Sequence, residues 1–310
     1  MAEHSADDGR LLLLLAVDQR NSFERGLYGL KGPISSDQDA RMTADKLLVY
    51  EALLEAVPGL PAEVQAGILV DEQYGASVAE LASRSQGAVS LAMPIEKSGE
   101  DWFEFAYGED WVAHAEFFAT DHAKVLVRDN PGFDRTRRER QAAQLAQVSR
   151  WASSNNRSLI IELLVPATDA DTAAVGGDPT RYDRELRPGH AVTVMENLQD
   201  QGVEPAIWKV EGLDRPEDAE RIVNAARRNG RKADCILLGR HAPHDQLEEW
   251  IQVVAPMPGW IGFAIGRSIW WDALTAHLHG QLSADETRHR VRDAYLDFAH
   301  FYIAARAAGN

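Results

Sequence analysis

The sequence predicts an α/β fold: a single (β/α)8 TIM barrel with an extra C-terminal helix. Three observations point there. Short apolar runs alternate with longer amphipathic segments along the whole chain, a pattern that implies a parallel sheet with crossover helices. Eight such units fit the 310 residues, within the usual size range of a closed barrel. No Gly-x-Gly-x-x-Gly follows any apolar run, which argues against a doubly wound open sheet.

In chain order, residues 1–9 read as a disordered tail and 10–310 as the barrel. Strands are expected at 11–17, 66–70, 88–92, 123–127, 158–164, 206–210, 235–238 and 260–264. Helices are expected at 37–57, 76–85, 109–119, 134–154, 180–201, 215–229, 244–254 and 269–279, with the extra one at 284–307. Cap signals precede most of them, among them Ser36-Asp37, Asp134, Asp178-Pro179 and Asp214-Arg215-Pro216. The apolar run 11–17 is acidic in front, lacks a small-residue cleavage site and is far too short for a bilayer. It reads as a buried strand, and the protein as cytoplasmic with no membrane partner.

A net charge of −16 argues against binding nucleic acid through bulk electrostatics. An anionic ligand would need local arginines and backbone N–H groups. The single cysteine, Cys235, excludes an intrachain disulfide and a thiolate-rich metal site.

Chemistry concentrates at the strand ends, where a barrel carries its active site. Lys209 stands in the middle of the apolar run Ile207-Trp208-Lys209-Val210. A desolvated lysine is a usable amine nucleophile, so Lys209 is the candidate Schiff-base residue. Two-residue periodicity puts Lys124 with Arg128, Glu162 with Leu164, and Lys209 with Glu211 on single strand faces. If these faces point inward, Lys124, Glu162 and Lys209 come from successive strands and meet. Two ammoniums beside one carboxylate would depress a lysine pKa by like-charge repulsion. The plainer alternative is a structural ion pair lining the barrel.

Asp18, Gln19 and Arg20 end the first strand: Asp18 is a catalytic candidate that with Gln19 could orient substrate hydroxyls, and Arg20 is a substrate- or phosphate-binding candidate. Gly239-Arg240 and Gly266-Arg267 follow strands seven and eight, where barrels commonly bind phosphate, so all four residues join Arg128 as phosphate-site candidates. Asp18, Asp71, Glu72 and Glu211 would supply carboxylates to a divalent cation in a rival enolate-forming enzyme. His241, His244, His277 and His279 lack metal-site spacing. Trp270-Trp271 and Tyr295, Phe298, Phe301 and Tyr302 read as packing of the last helices, any exposed remainder suiting a homo-oligomer. A noncatalytic sugar-phosphate sensor on the same barrel also stays open.

The segments Ala16-Val17-Asp18-Gln19-Arg20, Lys124-Val125-Leu126-Val127, Glu162-Leu163-Leu164 and Trp208-Lys209-Val210-Glu211 resemble the class I tagatose-bisphosphate aldolase family. The C-terminal half, with Leu237-Leu238-Gly239-Arg240 and Gly262-Phe263-Ala264-Ile265-Gly266-Arg267, is similar to the aldolase domain of inositol catabolism, which cleaves 2-deoxy-5-keto-gluconate 6-phosphate. The resemblance covers roughly 11–305. It implies Lys209 as nucleophile, Glu162 as proton shuttle, Lys124 as the neighbouring cation, a phosphorylated keto sugar as substrate, and neither cofactor nor metal. The products it implies are dihydroxyacetone phosphate and malonate semialdehyde. That domain is often fused behind a sugar kinase, and a free-standing version is expected here. One departure stands out: Leu-Gly-Arg occupies the strand-seven loop where tagatose-bisphosphate aldolases carry small residues, which weighs against a second phosphate pocket.

Overall fold

Eight parallel strands close into a barrel in simple chain order. They are β1 (Leu11–Ala16), β2 (Val64–Leu69), β3 (Ser90–Pro94), β4 (His122–Arg128), β5 (Ser158–Leu164), β6 (Ile207–Glu211), β7 (Asp234–Leu238) and β8 (Trp260–Ile265). Each expected strand is present, with ends moved by a residue or two. The structure, a computed structural model, describes residues 10–309, so the tail expected at 1–9 lies outside the described residues.

The helices are α1 (Ser36–Ala56), α2 (Glu72–Ser83), α3 (Trp111–Phe117), α4 (Arg135–Ser154), α5 (Asp169–Ala174), α6 (Pro179–Arg181), α7 (Arg187–Asp200), α8 (Pro216–Ala226), α9 (His244–Val254), α10 (Arg267–Leu278) and α11 (Ala284–Ala308). Three differ from expectation. The helix expected at 76–85 starts at Glu72, because the Asp71 side chain caps it by accepting from Tyr74 N. The helix expected at 180–201 is interrupted by a wide turn at Tyr182–Leu186 between α6 and α7. The short α5 was not expected; Thr168 and Asp171 form its capping box.

Every β1 side chain is buried because the strand has a core on each face. Leu12, Leu14 and Ala16 join Leu69, Ala92, Ile160, Ile207, Ile236 and Ala264 inside the barrel. Leu11, Leu13 and Leu15 join the larger layer between barrel and helices. This double burial explains why barrel strands read as continuous apolar runs. The final helix α11 seals the outer layer: Tyr295 Oη donates to Leu13 O at 2.8 Å and Tyr302 Oη to Trp260 O at 3.1 Å. Among the described residues no helix is long and apolar enough to cross a membrane.

Candidate active site

The inner face of each strand passes from apolar to charged toward its C-terminal end. On β6, Ile207 belongs to the inner cluster, so alternation also turns Lys209 and Glu211 inward. Ile160 does the same for Glu162 and Leu164 on β5. On β4, Ala123, Val125 and Val127 pack in the outer layer, which leaves Lys124, Leu126 and Arg128 facing in.

Register decides which of these groups touch. Glu162 pairs with Lys209 across β5 and β6. Lys209 Nζ donates to Glu162 Oε2 at 3.0 Å. Glu162 pairs with Leu126 on its other side, so the long Lys124 stem rises from one layer lower to reach the same Oε2 at 2.8 Å. Lys124 also donates to Asp18 Oδ2 and to Glu96 Oε1, each at 2.9 Å. Arg20 braces Glu96, its Nη1 donating to the Glu96 carbonyl at 2.8 Å. Lys124 and Lys209 are each only 2% exposed, so the cluster works out of bulk water.

The electrostatics correct one expectation. Lys124 faces three carboxylates, not one. Burial pushes its pKa down, but Asp18, Glu162 and Glu96 outweigh that and hold it well above the usual lysine value. Lys124 is therefore a fixed cation. Burial would likewise raise the carboxyls, yet Lys124 and Lys209 hold Glu162 below its ordinary value and Asp18 far below its own.

The expected anion groups divide. Gly266 lets the chain pass so close to β1 that a Cβ there would lie 2.1 Å from Ala16 O, and Arg267 opens α10 directly after it. Burial pushes the Arg267 guanidinium down, against the pull of Asp18 and Glu162. Arg267 makes no ion pair among the described residues and is free to take an anion. Arg240, expected beside it, has φ +49° and His241 φ +60°, a left-handed pair that turns the chain sharply after Gly239. The turn sends Arg240 Nη1 to Asp183 Oδ2 at 2.9 Å and Glu211 Oε1 at 3.1 Å. Its charge is already matched. Arg128 Nη1 donates to the Glu100 carbonyl at 2.9 Å.

The four carboxylates of the metal alternative do not converge. Asp18 goes to Lys124, Asp71 to Lys46, Glu72 to His114, and Glu211 to Val165 N and Arg240. Among the described residues no three His, Cys, Asp or Glu side chains gather as a metal site.

The roles of two participants escaped sequence reasoning. Glu96 stands among the polar residues after β3, but its contact with Lys124 was not foreseen; an isolated bridge to Phe105 fixes it there. Lys46 lies within α1, where a lysine is ordinary. It is fully buried, pairs with Asp71, and donates to Val17 O at 2.7 Å and Gln19 O at 2.9 Å. Those carbonyls flank Asp18, so Lys46 holds the β1 end from behind. Gln19 Oε1 and Glu96 Oε2 are buried at the mouth without a hydrogen-bond partner among the described residues.

Known structures share this architecture. A Schiff-base-forming fructose-1,6-bisphosphate aldolase is 14% identical, with TM-score 0.54 and 95% of each chain covered. Fructose-bisphosphate aldolase from Plasmodium falciparum is 12% identical, with TM-score 0.62, covering 94% of this chain and 90% of that one. Cgl0159 from Corynebacterium glutamicum is 16% identical, with TM-score 0.54, covering 92% and 86%. Identities this low establish the shared barrel and nothing finer. No curated protein matches the sequence. The family model of DUF2090, "Uncharacterized protein conserved in bacteria", matches residues 3–306, and the chain belongs to that family.

Proposed function

We propose that the protein is a class I, Schiff-base aldolase acting on a phosphorylated keto sugar. The observation that carries this reading is the buried Lys209 amine 3.0 Å from Glu162 Oε2, at the mouth of the barrel. Glu162 is an acceptor for the proton Lys209 must lose to become nucleophilic. The amine adds to the ketone carbon, giving a carbinolamine. Glu162 returns a proton to the departing hydroxyl, which leaves as water, and an iminium forms on Lys209. The iminium withdraws the electron pair of the breaking C–C bond as a neighbouring hydroxyl gives up its proton to the Glu162 carboxylate, which then holds the proton the enamine takes up, and an aldehyde departs. The remaining enamine is protonated, and water releases the ketone product and the free amine.

The fixed Lys124 cation, its three N–H groups directed at Asp18, Glu96 and Glu162, holds those carboxylates ionised and in place beside the amine. The open acceptors Gln19 Oε1 and Glu96 Oε2 suit substrate hydroxyls. Arg267, at the start of α10, suits the phosphate. The fold likeness to two fructose-bisphosphate aldolases is consistent with this chemistry. The sequence resemblance favours 2-deoxy-5-keto-gluconate 6-phosphate, cleaved to dihydroxyacetone phosphate and malonate semialdehyde in a cytoplasmic route of inositol catabolism. The direct test incubates the protein with that compound, tagatose 1,6-bisphosphate and sulfofructose phosphate and identifies the aldehyde released. Malonate semialdehyde alone supports the reading. Release from another ketose phosphate keeps the chemistry and replaces the substrate, and no aldehyde from any of them overturns the proposal.

A further inference from the structure

Above the charged layer the barrel mouth opens into a cavity of about 360 Å³, within the range of roughly 300–1,000 Å³ common for small-molecule sites. Its floor continues the strands of the catalytic cluster. Leu164 stands two residues beyond Glu162, Glu211 two beyond Lys209, and Arg128 ends the strand that carries Lys124. Its roof is the α5–α6 segment, where Val175 and Tyr182 supply apolar surface. The cavity thus begins one inward-facing position beyond Glu162 and Lys209, which do not themselves line it.

The charges in the cavity differ in how far they are already satisfied. Glu211 accepts from Val165 N at 2.9 Å and pairs with Arg240; Asp183 pairs with Arg240 and with Arg187. Asp178 caps α6 through Thr180 N at 2.9 Å. Arg128 is the exception. Its guanidinium donates to the Glu100 carbonyl at 2.9 Å, and it makes no ion pair among the described residues. A guanidinium with donors to spare matches the two oxygens of a carboxylate as a planar fork. Two arginines against the three carboxylates Asp178, Asp183 and Glu211 make the surroundings unfavourable for a dianion such as phosphate. Placement agrees: Arg128 ends β4, Lys209 sits on β6 and Arg267 follows β8, two strands to either side of the amine.

We propose that this cavity is a subsite for a small monoanionic acid group, a carboxylate or a sulfonate, held by Arg128. It would receive the end of the substrate opposite the phosphate. Its relevance to turnover rests on the aldolase reading, but the binding does not. A substrate with phosphate at both ends fits the cavity poorly.

Calorimetric titration of the whole protein with 3-hydroxypropionate, 3-hydroxypropane-1-sulfonate and inorganic phosphate tests it. Either monoanion should bind the wild type, weaken at least tenfold in Arg128→Leu, and partly recover in Arg128→Lys. The tighter of the two names the acid. Should Arg128→Leu fail to fold, Thr172→Trp fills the cavity from its exposed rim and should abolish the same binding. Monoanion binding unchanged in Arg128→Leu or in Thr172→Trp overturns the proposal, as do absence of binding and an Arg128-dependent preference for phosphate. Borohydride trapping of wild-type protein with dihydroxyacetone phosphate separates the two readings. Trapping without Arg128-dependent anion binding sinks the subsite alone, and the reverse pattern sinks the aldolase alone.

Discussion

Glu162 and Lys209 are direct register partners on β5 and β6, and their charged atoms meet at 3.0 Å. The same Glu162 oxygen also contacts Lys124 at 2.8 Å. One carboxylate thus lies between an amine suited to attack a carbonyl and a cation fixed by two further carboxylates. Glu162→Gln keeps the shape and removes the proton carrier. It should lower kcat by about 10²–10⁴-fold, the usual contribution of general acid–base catalysis, with KM little changed in steady-state kinetics. An unchanged kcat would remove Glu162 from the proton path.

Among the described residues Lys124 alone touches Asp18, Glu96 and Glu162 at once. Lys124→Met would leave three buried carboxylates facing one another, a loss on the order of 3–5 kcal/mol for an uncompensated buried charge. Denaturant unfolding should show a fall in unfolding free energy of that size. A shift below about 1 kcal/mol, the scale of exposed pairs, would mean that water screens the cluster.

Lys46 acts on the site from outside the barrel. Lys46→Met strands the buried Asp71 carboxylate and releases the carbonyls on either side of Asp18. The expected stability loss is again about 3–5 kcal/mol. If the variant folds, kcat should fall while KM for the phosphorylated ketose stays near wild type, because Asp18 rather than the phosphate site is disturbed. The double variant Lys46→Met with Asp71→Asn should regain part of the stability.

Asp171 gives the α5 segment a pH dependence. Burial would push its carboxyl up, but the Thr168 N–H and hydroxyl, His190 and Asn130 bring it down to about 2. The ordinary unfolded value is about 3.9, so ionised Asp171 favours the folded state. That stabilisation is complete above about pH 5 and is lost as pH falls from about 4 to about 2. Thermal melts of wild type and Asp171→Asn should therefore differ most near neutrality and converge in acid. A gap that widens in acid would contradict the assignment.

Much of this fold was legible in the sequence because burial on both faces leaves strands as unbroken apolar runs, and a charge inside such a run is conspicuous. Lys209, Glu162 and Lys124 could be brought together by period and strand order alone. Glu96 was visible as a polar residue after the third strand, but its reach to Lys124 was not, since it lies past the strand where a loop bridge to Phe105 holds it. Lys46 was hidden by its helix, where a lysine is ordinary and only tertiary packing against β1 makes it internal. The direction of Arg240 was unreadable because it depends on two successive non-glycine residues with positive φ. The roof of the cavity was missed for a related reason: α5 is a six-residue helix held by caps and not by an apolar stripe.

Reduction of the protein with borohydride in the presence of dihydroxyacetone phosphate, followed by peptide mass mapping, probes the amine itself. The expected result is a single reduced adduct on the peptide carrying Lys209, absent from Lys209→Ala. An adduct on Lys124 or another lysine, or undiminished labelling of Lys209→Ala, would contradict the nucleophile assigned here.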